Sequence, residues 1–152
     1  MLVSLLIDTN IVLDVILARK PWAHDAVLLL DEVAQGKAIG FIASHSITTV
    51  YYIVEKRLNR AAANTAVSDL LSVLKVVSLD TADFSRALSM GLRDYEDAVQ
   101  AAACLKAGCD FVVTRNAPDF KGASVETRAP GEVLALVALR PPQRLPRTGV
   151  AS

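Results

Sequence analysis

Leu2-Val3-Ser4-Leu5-Leu6-Ile7-Asp8-Thr9-Asn10 runs apolar as far as Ile7 and then turns abruptly polar. An apolar run without strict alternation is the pattern of a strand covered on both faces, as in parallel sheets. Parallel strands need crossovers, so helices should follow. Outward from this strand the apolar residues recur at helical spacing over 11–18 and 23–34, divided by Lys20-Pro21, and Gly36 and Gly40 bracket a break. Residues 41–43 read as a second strand. Ser44 or Ser46 is placed to cap the next helix, in which Ile47, Val50, Tyr51, Val54 and Leu58 form one apolar stripe.

Further along, residues 61–74 read as a helix, 76–79 as a third strand and 81–90 as a helix. Residues 94–107 are rich in Ala with almost no β-branching, and Gly108 stands where a left-handed cap would end that helix. Residues 111–114 and 125–127 supply a fourth and a fifth strand, and Pro130 leads into a last helix over 132–138. Alternating strands and helices imply an α/β protein in three layers, α/β/α, around a twisted, mainly parallel sheet of four or five strands.

The chain has 152 residues, 53% hydrophobic and 21% charged, which suits one domain over 1–138 with a sizeable core. Residues 139–152, rich in Arg and Pro, are expected to form a mobile tail. Lys plus Arg and Asp plus Glu both total 16, so no global basic field advertises a polyanion and any such partner must be met locally. Cys104 and Cys109 have no ligand-like spacing and read as reduced core residues. Asp8 interrupts the first apolar run before a signal-peptide core could form, and no window is long enough to span a membrane, so a cytoplasmic protein is expected.

In open α/β sheets the site lies beyond the carboxyl ends of the strands. Asp8 leaves strand one. Asp94 and Asp97 sit three apart at a helix start, on one face, and Asn116 and Asp119 follow strand four. Carboxylates converging on one edge repel each other, and a divalent cation removes the conflict. An all-oxygen donor set without His or Cys suits Mg2+ or Mn2+ rather than zinc. Such an ion activates a water and screens the charge that builds on a phosphodiester.

Three segments, Leu5-Leu6-Ile7-Asp8-Thr9-Asn10-Ile11-Val12-Leu13-Asp14, Asp94-Tyr95-Glu96-Asp97-Ala98-Val99-Gln100-Ala101-Ala102 and Val113-Thr114-Arg115-Asn116-Ala117-Pro118-Asp119-Phe120, together resemble a PIN domain. They are most similar to the toxin ribonucleases of bacterial VapBC-type toxin–antitoxin pairs. The resemblance implies a metal-dependent endoribonuclease acting on RNA, controlled by a small antitoxin and commonly a homodimer. It assigns Asp8, Asp97 and Asp119 as metal-binding and catalytic acids, with Asp94 as an additional acid. Asn10 and Thr114 match positions that hold the site by hydrogen bonds, and Asn116 stands where many members carry another acid. One departure is evident: the family usually has a Glu near the start of the helix after strand two, where this chain has Thr48 and Thr49. The missing ligand would either weaken metal affinity or be replaced by a water held by a Thr hydroxyl such as that of Thr48. Glu55, the nearest carboxylate, lies about two turns further on.

Structural readings compete at several of these positions. Asp8 and Asp94 could be helix caps, with Asp97 the partner in a capping box; Asp119 could start a turn; and Asp14 could be an ordinary helix charge. His24 and His45 lack a hydroxyl or thiol partner at a recognisable spacing. Among Arg19, Lys20, Arg93, Arg115 and Lys121, Arg115 is best placed to meet a substrate phosphate. Two rival functions remain: a PIN-like RNA- or partner-binding module that has lost catalysis with the missing acid, and an aspartyl phosphotransferase with Asp8 as nucleophile. The second expects another Asp two residues later, where this chain has Asn10.

Overall fold

The computed structural model describes residues 2–139, so the tail expected over 139–152 lies outside the described residues except for Leu139. Five strands form one parallel sheet: β1 (Ser4–Ile7), β2 (Ile39–Ala43), β3 (Lys75–Val77), β4 (Phe111–Val113) and β5 (Thr127–Arg128). Their order is β3-β2-β1-β4-β5. β1 is central, with Leu5 opposite Gly40 on one side and Phe111 on the other. A strand in that place has no solvent face, and Leu5, Leu6 and Ile7 are completely buried.

The side chains of β1 alternate between two cores. Leu5 and Ile7 face the larger one, made with α1 (Thr9–Ile16), α2 (Ala23–Ala34), α3 (Ser44–Arg57), α4 (Arg60–Val73) and α7 (Pro130–Ala138). Leu6 faces the smaller one, built on α6 (Tyr95–Ala107), with α5 (Thr81–Ser89) packed against α6. Helices thus cover both faces. α6 meets the sheet through Ala101 and Ala103, whose short side chains allow a close approach, and Gly108 ends it at φ 66°. Lys106 ties the C-terminal turn of α6 to α5, donating to the Ser78 carbonyl at 2.6 Å and to Asp83 at 2.7 Å.

Several boundaries differ from expectation by one to a few residues. Neither Ser44 nor Ser46 caps α3: Ala43 holds the cap position, Ser44 accepts from the Leu79 N–H, and Ser46 turns inward. β5 begins at Thr127 because its register pairs Thr127 with Val112 and Arg128 with Val113. Gly40 is required by packing. A Cβ there would stand 2.6 Å from Leu74 Cδ2 and 2.8 Å from Val33 Cγ1.

The chain crosses from β1 to β2 and β3 on one side and returns to β4 and β5 on the other. The crossovers therefore diverge between β1 and β4, and a crevice opens beyond their carboxyl ends.

Candidate active site

Asp8 is the first residue past β1, on the lip of that crevice. Its N–H donates to the Val113 carbonyl at 3.0 Å, and its Oδ2 accepts the Thr114 hydroxyl, also at 3.0 Å. The last bond of the β1–β4 ladder therefore fixes the backbone while Thr114 fixes the carboxylate. Only 2% of Asp8 is exposed, and burial pushes its carboxyl up to about 6, against the lowering effect of the Thr114 bond.

Asp94 caps α6, accepting from the N–H of Glu96 at 2.9 Å and of Asp97 at 3.4 Å. The cap expected from sequence is present, and it presents Asp97 in the first turn of the helix. Asp97 is buried, and this desolvation, followed by the negative charges of Asp94, Asp8, Asp119 and Glu96, pushes its carboxyl up to about 7. Asp8, the Asp94–Asp97 pair at the start of α6 and Asp119 thus come from three separate places in the fold into one electrostatic neighbourhood. Asp119 lies exposed in a 3-10 turn, Ala117–Phe120, anchored by its buried Phe120.

This donor set fits a hard divalent cation. It is all oxygen, and its two buried carboxylates are driven toward protonation, Asp8 by burial and the charge of Glu96, Asp97 by burial and the charges of Asp94, Asp8, Asp119 and Glu96. Among the described residues no group of three His, Cys, Asp or Glu forms a ready cage for an ion. Mg2+ rarely uses such a cage: it is commonly held by one or two carboxylates, with waters and substrate phosphate completing the shell.

Other positions singled out from sequence fall into two groups. Thr114 belongs to the site, and its Oγ1 also receives the Asn116 N–H at 3.0 Å, which sets the start of the following loop. The other group is engaged elsewhere or set apart. Asn10 lies half-buried in the first turn of α1, and its side chain takes no part in the bonds that fix Asp8. The Thr48 hydroxyl donates to the His45 carbonyl of its own helix at 3.0 Å, as Thr49 does at 3.2 Å. Arg115 is not free for a phosphate: its Nε lies 3.0 Å from the fully buried Asp14 and its guanidinium stacks 3.8 Å from the Trp22 ring centroid. Arg19 approaches Asp14 as well, at 3.6 Å. Glu55 is exposed on α3.

Sequence reasoning missed Glu96. Its Oε1 accepts from the Thr9 hydroxyl at 3.0 Å and from Gln100 Nε2 at 3.2 Å, and His45 Nε2 lies 3.5 Å away. Gln100 also donates to Thr9 at 2.9 Å and to Ser46 at 3.0 Å. The one signal in the sequence is the spacing of Glu96 and Gln100, one turn apart on a helix face that also starts at the acidic edge.

The PIN domain family profile matches residues 4–117. The chain belongs to the PIN domain family. Ribonuclease VapC1 of Aquifex aeolicus (strain VF5) is 22% identical to this PIN domain over 129 residues, 79% of this chain and 89% of that protein. Among solved structures, the DNA-bound VapBC of Salmonella typhimurium superposes with a TM-score of 0.66 at 21% identity, over 86% of this chain and 99% of that one. Mycobacterium tuberculosis VapC20, described as a sarcin-ricin loop cleaving toxin, gives 0.59 at 17% identity over 71% and 86%. At these identities the superpositions establish the shared fold. Among the described residues of this PIN domain no helix is long and apolar enough to cross a membrane.

Proposed function

We propose that this PIN domain is an endoribonuclease, dependent on Mg2+ or Mn2+, that hydrolyses RNA phosphodiester bonds in the cytoplasm as the toxin of a toxin–antitoxin pair. The observation that carries the reading is the pairing of two buried carboxylates, Asp8 and Asp97, whose affinity for a proton is raised where the crossovers diverge. The ribonuclease VapC1 relative and the VapC20 toxin agree with it. When bound, the cation supplies a polarised water and neutralises charge on the phosphate. Asp8, locked by Thr114, and Asp97 would hold it, with Asp119 reaching it directly or through water. Asp94 keeps the α6 terminus in place and adds negative charge that favours a cation.

The test is direct. Purified protein should cleave RNA with Mg2+ or Mn2+ and lose cleavage in EDTA, and Asp97→Asn should abolish it while thermal melting shows a folded chain. Cleavage that persists in both EDTA and Asp97→Asn overturns the reading, and RNA that is bound but never cut favours the binding module.

The antitoxin also has a candidate seat. A cleft of about 720 Å³ between α1, α2 and α4 is walled by Val12, Val15, Ile16, Val27, Leu30 and Leu70, and Asp31 and Asp69 also line it. An apolar helix carrying basic residues complements that surface in shape and in charge. VapBC complexes among the structural neighbours agree with such a partner. Leu30→Glu should prevent co-purification with the product of the adjacent reading frame, whereas a complex that survives it would remove the cleft from the interface. A homodimer would show as twice the chain mass in light scattering.

A further inference from the structure

The helix after strand two carries no acid near its start, and the structure assigns that duty to Glu96: its carboxylate, held through Oε1 by Thr9 and Gln100 with His45 Nε2 3.5 Å away, supplies the charge at the crevice that Thr48 and Thr49 do not. The inference rests on the metal-dependent reading of the site. Three features carry it. Thr9 is the neighbour of Asp8, so the 3.0 Å bond from its hydroxyl ties Glu96 directly to the exit of β1. Gln100, fully buried, reaches Thr9, Ser46 and Glu96 with one amide nitrogen, joining β1's exit, α3 and α6 in a single polar knot. Finally, Glu96 Oε2 has no hydrogen-bond partner among the described residues, while its side chain is 45% exposed, so one oxygen is fixed and the other is open to a ligand.

The arrangement separates anchoring from function. Buried hydroxyl and amide groups hold a carboxylate in one orientation without neutralising it, which is how supporting groups orient ligand side chains around metals. His45, on the first turn of α3, closes the knot from the helix that lacks the acid. Glu96 also adds to the negative charge felt by both Asp8 and Asp97.

Glu96→Gln distinguishes this role from a structural one, because a glutamine keeps an acceptor oxygen for Thr9 and Gln100 and removes only the charge. Mn2+ binding to the purified full chain, followed by the electron paramagnetic resonance of the free ion, is expected to weaken by about tenfold or more in E96Q with the melting temperature unchanged. Wild-type Mn2+ affinity in E96Q overturns the inference. Should E96Q fail to fold, Glu96→Asp keeps the charge but draws it back by one methylene from its clamp; weaker Mn2+ binding is again expected, and unchanged binding again overturns the inference. Asp8→Asn in the same assay separates the two levels. A wild-type chain that binds no Mn2+ overturns the metal-dependent reading and this inference with it, whereas loss of binding in Asp8→Asn with none in E96Q overturns the assignment of Glu96 alone.

Discussion

Asp8 and Asp14 lie six residues apart and are both buried, yet they are treated in opposite ways. Asp14 receives two guanidinium groups, Arg115 at 3.0 Å and Arg19 at 3.6 Å, and Arg115 is itself clasped by Trp22. Among the described residues no guanidinium is bound to Asp8: it accepts the Thr114 hydroxyl and the Thr9 N–H, and the charge of Glu96 acts on it more strongly than that of Arg115. The first arrangement is closed: every charge is answered within the chain, and what it achieves is the docking of α1 onto the loop after β4. The second is open, with negative charge gathered and left for something outside the polypeptide to answer. A buried acid is therefore informative about function through its partners rather than through its burial.

Four experiments probe the contrast, in descending order of expected effect. Asp8→Asn should reduce RNA cleavage by about a thousandfold or more, a loss typical of removing an electrostatic stabiliser at a reacting centre, with little change in melting. Asp14→Ala should do the reverse, costing about 3 kcal/mol of stability in denaturant titrations by stranding two half-buried guanidiniums, while the remaining folded molecules still cleave. If Asp14→Ala instead abolishes activity in a fully folded chain, the two acids are not separate in function. Thr114→Val removes the bond that holds the Asp8 carboxyl down; cleavage should fall about tenfold to a hundredfold, and the acid limb of its pH profile should move to higher pH.

The smallest effect concerns pH and stability. Asp8 at about 6 and Asp97 at about 7 both lie above the ordinary aspartate value of 3.8, so the folded chain holds these protons more tightly than the unfolded chain does. Their contribution to stability is full below about pH 4 and is lost as pH rises through 6 to 7. In EDTA the melting temperature should therefore fall by a few degrees between pH 5 and pH 8, Mg2+ should restore it at pH 8, and Asp97→Asn should flatten the slope. A slope of the opposite sign would mean that these acids are already compensated.

Much of this was legible in the sequence because it depends on short-range pattern. The uninterrupted run before Asp8, the Ala-rich stretch after Asp94 and the stop at Gly108 each follow from what one segment can bury, and together they order the strands and bring Asp8, Asp97 and Asp119 to one side of the sheet. What pattern could not supply is the identity of partners. Whether Arg115 is free or bound depends on Asp14 and Trp22, residues that share no periodicity with it. Glu96 stood inside a recognised motif, but its importance comes from Thr9 and His45, far away along the chain and contributed by two other elements. For the same reason His45, dismissed for want of a hydroxyl or thiol at a known spacing, turns out to face a carboxylate.

The bare backbone at Gly40 links the sheet to the helix that walls the apolar cleft. Val33 of α2 settles into the room that Gly40 leaves, while Val27 and Leu30 on the same helix wall the apolar cleft. A Cβ at residue 40 would press on the side chains of Leu74 and Val33, so one of them, and with Val33 the seat of α2, would have to shift. If the cleft is the seat proposed for an antitoxin, variants at this one position should alter its binding without changing a residue that lines the cleft.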